Sequence, residues 1–188
     1  MRRLALALVV ASLAAACHRQ SDLPHLFPVP AETLTRETGK PMSLAENKGY
    51  VTVYDFIFTN CAGTCPVMSA TMRNLTKKID KDAKVRFVSI SVDPARDTPQ
   101  QLRDYAMHVR NDDRWIFLTG QPGQITRLSV EGFKLAIGGT PQTALEPLLH
   151  SNKFAIADKD GMIRSYAGGT DPDAVDRVAE TVGELLRE

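Results

Sequence analysis

A strand-forming run that leads directly into a pair of cysteines constrains this chain more than any other feature. Residues 51–58 are rich in β-branched and aromatic side chains, which predicts a β-strand. Cys61 and Cys65 follow at once, and Pro66 after them is suited to the first turn of a helix. Residues four apart on a helix lie about 5–6 Å from each other, which overlaps the separation that a disulfide tolerates. The sequence therefore predicts two thiols at a strand-to-helix junction.

Two thiols in this position have several chemical uses. They can close a disulfide, transfer electrons, or bind a soft metal ion. The plainer interpretation is an inert structural disulfide or two buried thiols, although closing so short a loop gains little stability. A helix N-terminus favours the thiolate, which is the form that attacks disulfides and binds metals. We therefore treat Cys61 and Cys65 as a chemical site, both as a redox pair and as candidate metal ligands.

The first 30 residues are expected to direct the chain to the cell envelope. Residues 1–16 combine a basic start, an apolar stretch too short to cross a bilayer and small residues at the end, as in an export signal peptide. Cys17 follows, and the junction resembles a bacterial lipoprotein signal, in which this cysteine is acylated. Cleavage that leaves a free thiol is the alternative. We expect a lipid anchor and tether over 17–30 and one domain over 31–188, on the periplasmic side of a membrane.

Charge and cysteine usage are consistent with an exported protein that does not bind nucleic acid. The formal net charge is +1, and loss of Arg2 and Arg3 with the signal peptide lowers it to −1. A near-neutral chain of mixed sign offers no electrostatic footprint for nucleic acid. If lipid consumes Cys17, an even pair of cysteines remains in a compartment that permits disulfides.

Strand and helix signals alternate along the rest of the chain. Further strands are predicted at 85–92, 115–118, 153–157 and 162–166, and helices after Cys65, from Pro99, over about 122–130, and from Asp171 onwards. This order predicts an α/β sheet with helices on both faces. In such sheets the site lies beyond the carboxyl ends of the strands, where Cys61 falls. It is the order that a thioredoxin-like fold requires.

These motifs resemble the Sco/SenC family of copper-binding, thioredoxin-like proteins across essentially all of the exported domain. Residues 56–66 are similar to the copper loop of that family, and residues 89–99 are similar to its second signature. His150, followed by a strand and turn over 154–161, matches the family order. The resemblance implies the peroxiredoxin-type variant of the thioredoxin-like fold and a copper site formed by Cys61, Cys65 and His150.

The resemblance also implies a role. A family member would deliver copper to, or reduce the cysteines of, the binuclear copper site in cytochrome c oxidase subunit II, with other copper carriers or thiol–disulfide proteins as further partners. Two thiolates and one imidazole suit Cu(I), and can hold Cu(II) with an added ligand. This makes a metallochaperone the leading interpretation and a thiol–disulfide reductase activity a second possibility. The alternatives are an exported thiol–disulfide oxidoreductase that works without metal and, third, a peroxidase related to peroxiredoxins.

Other soft or charged side chains have plainer interpretations. Met68 and Met72 fall on an apolar helical stripe and are expected in the core. Asp93, Arg96 and Asp97 predict a buried charge network at a strand end, structural first, with loop ordering or partner contact as a second role. The remaining histidines are expected to be solvated: His18, His25 and His108.

Overall fold

The computed structural model describes residues 21–61, 63–136 and 151–188. The strands are β1 (Phe27–Pro28), β2 (Thr33–Arg36), β3 (Pro41–Ser43), β4 (Val51–Ile57), β5 (Val85–Ser91), β6 (Trp115–Thr119), β7 (Lys153–Ala157) and β8 (Met162–Gly168). The helices are α1 (Cys65–Lys78), α2 (Pro99–Val109), α3 (Pro122–Arg127) and α4 (Ala174–Leu186). A 3-10 turn at Leu44–Asn47 and a π-helical turn at Leu128–Gly132 complete the described elements.

The strands form one mixed sheet in the order β1-β8-β7-β4-β5-β6-β2-β3. β4, β5 and β6 run parallel, whereas β7 pairs with β4 in the antiparallel direction. Every residue of β4 is buried, which explains why its sequence is a nearly continuous apolar run. The strands predicted from the sequence are confirmed, and the cysteines follow the most central of them.

Side chains on opposite faces of β4 meet different layers of the structure. Tyr54 and Phe56 lie on one face, with ring centroids 5.0 and 5.3 Å from the ring of Phe133, which follows α3 and the π-helical turn. On the other face, the hydroxyls of Tyr105 in α2 and Ser69 in α1 are 2.7 Å apart. Because α1 and α2 cover one face and the segment from α3 to Phe133 covers the other, the prediction of helices on both faces is confirmed.

The predicted helix starts are confirmed for α2 and wrong for α4. Thr98 caps α2 by accepting a hydrogen bond from the Gln101 N–H at 3.3 Å, with Pro99 at the first position. α4 begins at Ala174, three residues later than the predicted start at Asp171. The Asp171 carbonyl instead accepts a hydrogen bond from the Ala174 N–H at 3.1 Å, which closes a turn before the helix.

The segment assigned to a tether packs against the sheet from Ser21 onwards. β1 pairs with β8, and Leu23, Leu26 and Val29 lie partly buried against the core. These three residues are apolar and spaced three apart, so their side chains can be buried together against the core. Part of the predicted tether, from Leu23 to Val29, therefore packs against the domain. Within the described ranges, no helix is both long and apolar enough to cross a membrane.

Candidate metal and redox site

The structure brings Cys61 and Cys65 together where β4 passes into α1. Both are present as thiols rather than as a disulfide. Cys65 opens α1 and is 1% exposed, whereas Cys61 lies in the preceding loop and is half-buried. A hydrogen bond joins the two thiols. The predicted pair is therefore one contiguous group, with Cys61 on the side that solvent or a partner reaches first.

The Cys65 thiol does not have the acidity expected from its position at the start of a helix. Burial raises the pKa of the Cys65 thiol well above its usual range, and Cys61 and the charge of Asp55 raise it further. A backbone hydrogen bond from Phe58 lowers the pKa by less. The start of a helix favours a thiolate, but burial of Cys65 acts in the opposite direction and favours the thiol.

Asp55 is a member of the site that the sequence analysis did not single out. It lies on β4, is completely buried, and forms no ion pair with the residues that the structure describes. Burial raises the pKa of Asp55 to about 7. Ser89, its neighbour on β5, lowers the pKa by less, and its hydroxyl also accepts a hydrogen bond from Trp115 at 2.9 Å. An acid within an otherwise apolar strand was the signal that could have identified it.

A buried carboxylate holds the loop that leads from β4 to the cysteines. Asp97 is 1% exposed and accepts hydrogen bonds from the Thr59 N–H at 3.0 Å and the Thr59 hydroxyl at 2.6 Å. The Ser91 hydroxyl donates to the same carboxylate at 2.5 Å. Ser91 also accepts a hydrogen bond from the Asp93 N–H at 3.0 Å, and Asp93 pairs with Arg96. The predicted charge network is confirmed, and one of its members contacts the cysteine loop.

The end of β8 approaches the first turns of α1 from the other side. The Gly169 N–H donates to the Asn152 carbonyl at 2.7 Å. A Cβ atom on Gly169 would lie 3.0 Å from that carbonyl oxygen and 3.2 Å from Cγ of Met68. Glycine at this position therefore permits a close approach between α1 and the residues at the start of β7. Met68 and Met72 are both 0% exposed, which confirms that they are core residues.

Two of the predicted site residues, His150 and Cys17, lie outside the described residues. The residues that flank 137–150 are hydrogen bonded to each other, with the Ser151 N–H 3.0 Å from the Ala136 carbonyl oxygen. In the part of the chain that the structure describes, no group of three or more His, Cys, Asp or Glu side chains is arranged to hold a metal ion. His25 and His108 are exposed, as expected.

The parallel strands β4 to β6, the antiparallel strands β7 and β8, and a cysteine pair at the start of α1 define a thioredoxin-like dithiol protein. A family model described as SCO1/SenC matches residues 30–187. The chain belongs to the SCO1/SenC family.

Three solved structures show the same fold at similar size. A SCO1/SenC family lipoprotein from Bacillus anthracis str. Ames is 28% identical, with a TM-score of 0.77 over 89% of this chain and 99% of that one. BsSco is 33% identical, with a TM-score of 0.77 over 89% and 98% of the two chains. It is described as having a disulfide switch and as a member of the Sco family of cytochrome c oxidase assembly proteins. Arabidopsis thaliana ScoI with copper bound is 26% identical, with a TM-score of 0.72 over 83% and 96%.

Proposed function

We propose that this chain is an exported, lipid-anchored protein that holds one copper ion through Cys61, Cys65 and His150. It delivers that ion to, or reduces the cysteines of, the binuclear copper site of cytochrome c oxidase. The observation that carries the proposal is the contact between the two thiols at the carboxyl end of β4. The copper-bound ScoI structure and the oxidase-assembly role stated for the Sco family support the choice of cargo and partner.

The donor set suits copper as a cargo. Thiolate sulfur is a soft ligand that favours Cu(I), and imidazole nitrogen is a ligand that also suits Cu(II). A thiol must lose its proton to coordinate a metal, so copper uptake releases protons. Since burial raises the pKa of the Cys65 thiol, the metal must displace a proton that the fold retains. Copper release and reprotonation of Cys65 are therefore linked, which suits a protein that gives its cargo away.

The same two sulfur atoms can reduce a disulfide of the partner. The Cys61 sulfur attacks one sulfur of that disulfide, which forms a mixed disulfide and releases one partner thiolate. The Cys65 thiol then loses its proton and its sulfur attacks Cys61, which releases the second partner thiolate and leaves a Cys61–Cys65 disulfide. The two protons lost by Cys61 and Cys65 balance those taken up by the two partner thiolates. Two electrons pass to the partner, and the oxidised pair no longer has thiolates to offer to copper. Cys61 takes the first role because it is the more exposed of the two cysteines.

A second candidate function is dithiol–disulfide exchange without metal. The observation in its favour is Asp55, a buried carboxyl whose pKa is raised to about 7 and whose charge acts on Cys65. Such a group can accept a thiol proton near neutral pH. A dithiol enzyme has no need of His150, so this histidine separates the two functions.

Copper titration of the reduced protein tests the proposal. We expect one Cu(I) per wild-type chain and loss of tight binding in Cys61→Ser and in Cys65→Ser, since one thiolate leaves too little soft coordination. His150→Ala should weaken Cu(II) binding most and leave disulfide cycling intact, whereas His108→Ala, at an exposed position on α2, should match the wild type. Full copper retention by either cysteine variant would reject the site. Wild-type affinities in His150→Ala would favour the oxidoreductase.

A further inference from the structure

We propose that Asp97 is a positioning residue for Cys61, acting through Thr59 to hold the loop in a geometry that favours both the disulfide and the copper site. The proposal rests on the role of Cys61 and Cys65 as the reacting pair. It assigns a task to a carboxylate that the proposed function does not use. If the Asp97 network only stabilised the fold, its variants would lower the melting temperature without changing the reduction potential of the cysteine pair.

The Asp97 carboxylate accepts three hydrogen bonds. One oxygen of Asp97 accepts from the Thr59 hydroxyl, and the other accepts from the Thr59 N–H and the Ser91 hydroxyl. Asp97 also directly precedes Thr98, the cap of α2, so the N-terminus of that helix favours negative charge beside it. A buried carboxylate with three donors and a helix N-terminus is well held. Two of those three donors belong to a single loop residue.

Thr59 lies between the end of β4 and Cys61. β4 ends at Ile57, whose carbonyl accepts a hydrogen bond from the Val92 N–H at 2.8 Å. Thr59 comes two residues later, outside β4, and two residues before Cys61. On the far side of the loop, Cys65 is fixed because it belongs to α1 and is 1% exposed. The Asp97 contact therefore fixes the Cys61 side of the loop, as α1 fixes the Cys65 side.

The position of Cys61 relative to Cys65 affects both disulfide formation and copper binding. A disulfide needs its two Cβ atoms about 3.5–4.5 Å apart, and two copper-binding sulfurs need a comparable approach. If the Thr59 side of the loop is released, Cys61 gains conformations that point away from Cys65. Closing the disulfide or binding copper must then remove this extra freedom. Both equilibria should weaken together, by similar factors, in a protein that is still folded.

Thr59→Val is the sharpest variant, because valine keeps the shape and the backbone N–H but removes the hydroxyl donor. A hydrogen bond to a charged group is stronger than one between neutral groups, so we expect about a tenfold effect. The disulfide should become about tenfold easier to reduce by glutathione, a shift of about 30 mV towards a more oxidising potential. Cu(I) affinity should fall by a similar factor. Thr59→Ser should restore both values.

Matched controls separate positioning from general stability. Thr181→Val removes a threonine hydroxyl that bonds the Arg177 carbonyl within α4, far along the chain from the loop. Asp104→Asn removes a carboxylate on the exposed side of α2. Both controls should keep the wild-type potential. Asp97→Asn should give a smaller shift than Thr59→Val, because an amide keeps an acceptor for the Thr59 N–H and can donate to its hydroxyl.

Two measurements decide the proposal: thiol counting in glutathione buffers, which needs no copper, and the Cu(II) electron paramagnetic resonance spectrum of the same variants. A shifted potential with a broadened spectrum in Thr59→Val, rescued by Thr59→Ser, supports it. A potential equal to that of Thr181→Val would overturn it, even if the melting temperature fell. A wild-type protein whose thiol count is the same in oxidising and reducing buffer would instead reject the redox pair itself.

Discussion

The two ends of the central strand β4 are held together in opposite ways. The residues at its carboxyl end are called the cysteine end, which we define as residues 59–65 with Asp55 and Asp97. At its amino end lies the Arg164 cluster, which we define as Arg164, Asp158, Glu188 and Ser21. Because β7 runs antiparallel to β4, with Ala157 opposite Thr52, the turn after β7 reaches this amino end. The two groups of residues therefore lie at opposite ends of one strand.

The Arg164 cluster pairs its charges closely. Arg164 is 2% exposed and donates to Asp158 at 2.9 Å, to Glu188 at 2.8 Å and to the Leu23 carbonyl at 2.8 Å. Burial alone would raise the pKa of Glu188, but hydrogen bonds from Arg164 and Ser21 outweigh it and lower the pKa to about 2. One guanidinium thus joins the hairpin turn, the N-terminal segment and the end of the chain.

The cysteine end instead keeps groups that can react. Burial raises the pKa of the Cys65 thiol, and it raises that of Asp55 to about 7, without a compensating cation in the interactions described for either residue. Perturbed groups of this kind concentrate at functional sites, whereas closely paired charges belong to the scaffold. Charges are therefore closely paired at one end of β4, whereas the other end holds two buried acidic groups that no cation in the described interactions compensates. Each prediction below acts on one end and should spare the other.

The largest expected effect concerns the membrane anchor. Ser21 is bonded within the Arg164 cluster, and Cys17 precedes it by four residues in the sequence. Cys17→Ser should move the protein from the membrane fraction to the soluble or unprocessed fraction, with copper binding intact, while Cys61→Ser stays with the membrane. Cell fractionation measures this. Unchanged membrane association of a correctly cleaved Cys17→Ser protein would contradict the lipid anchor.

Replacing Arg164 should give the largest loss of stability. Arg164→Leu leaves two carboxylates without their cation, and breaking a buried pair from one side costs about 3–5 kcal/mol. Urea unfolding measures the loss, and Arg177→Leu, which removes a largely exposed ion pair, should cost at most about 1 kcal/mol. Copper stoichiometry of the folded protein should be unchanged. Equal losses in the two variants, or copper lost from a folded Arg164→Leu protein, would break the comparison.

Asp55 should make stability fall as the pH rises. The pKa of Asp55 is about 7 in the folded chain, whereas 3.8 is its ordinary value and stands for the unfolded chain. As the pH rises, the unfolded chain therefore loses this proton at a lower pH than the folded chain does. The stabilising contribution of the protonated Asp55 carboxyl is fully present below pH 4 and is lost as the pH rises through about 7. The total loss in the free energy of unfolding is at most about 4 kcal/mol. Asp55→Asn should remove this dependence and be the more stable protein at pH 8. If the unfolding free energies of the wild type and of Asp55→Asn changed equally with pH from 4 to 8, the raised pKa of Asp55 would be contradicted.

Local signals in the sequence were sufficient to predict most of the fold. The strand before Cys61 and the helix start marked by Pro99 each depend on residues close in sequence, and both are confirmed. The short strands β1 to β3 were not predicted, because two to four residues are too few to show a period. β1 and β2 also depend on pairing with the distant strands β8 and β6, and β3 pairs with β2. The start of α4 was wrong because a turn at Asp171 competes with the helix.

The site was predictable as far as its residue types, but not in its long-range contacts. The spacing of Cys61 and Cys65 located the pair, whereas burial, which decides the pKa of the Cys65 thiol, depends on the assembled layers. Asp97 was recognised as part of a network, yet its partner Thr59 lies 38 residues away in sequence. No local pattern encodes such a pairing. His150 stays a prediction that the residues described do not test.

Copper uptake by the reduced and the oxidised forms of one preparation tests the central claim most directly. The account requires the same two sulfur atoms to serve either the disulfide or the metal, so the two states exclude each other. Thiol counting should differ by two between the forms, and calorimetric titration with Cu(I) should give one ion per reduced chain and none per oxidised chain. Equal Cu(I) uptake by both forms, or a thiol count that does not change, would contradict it.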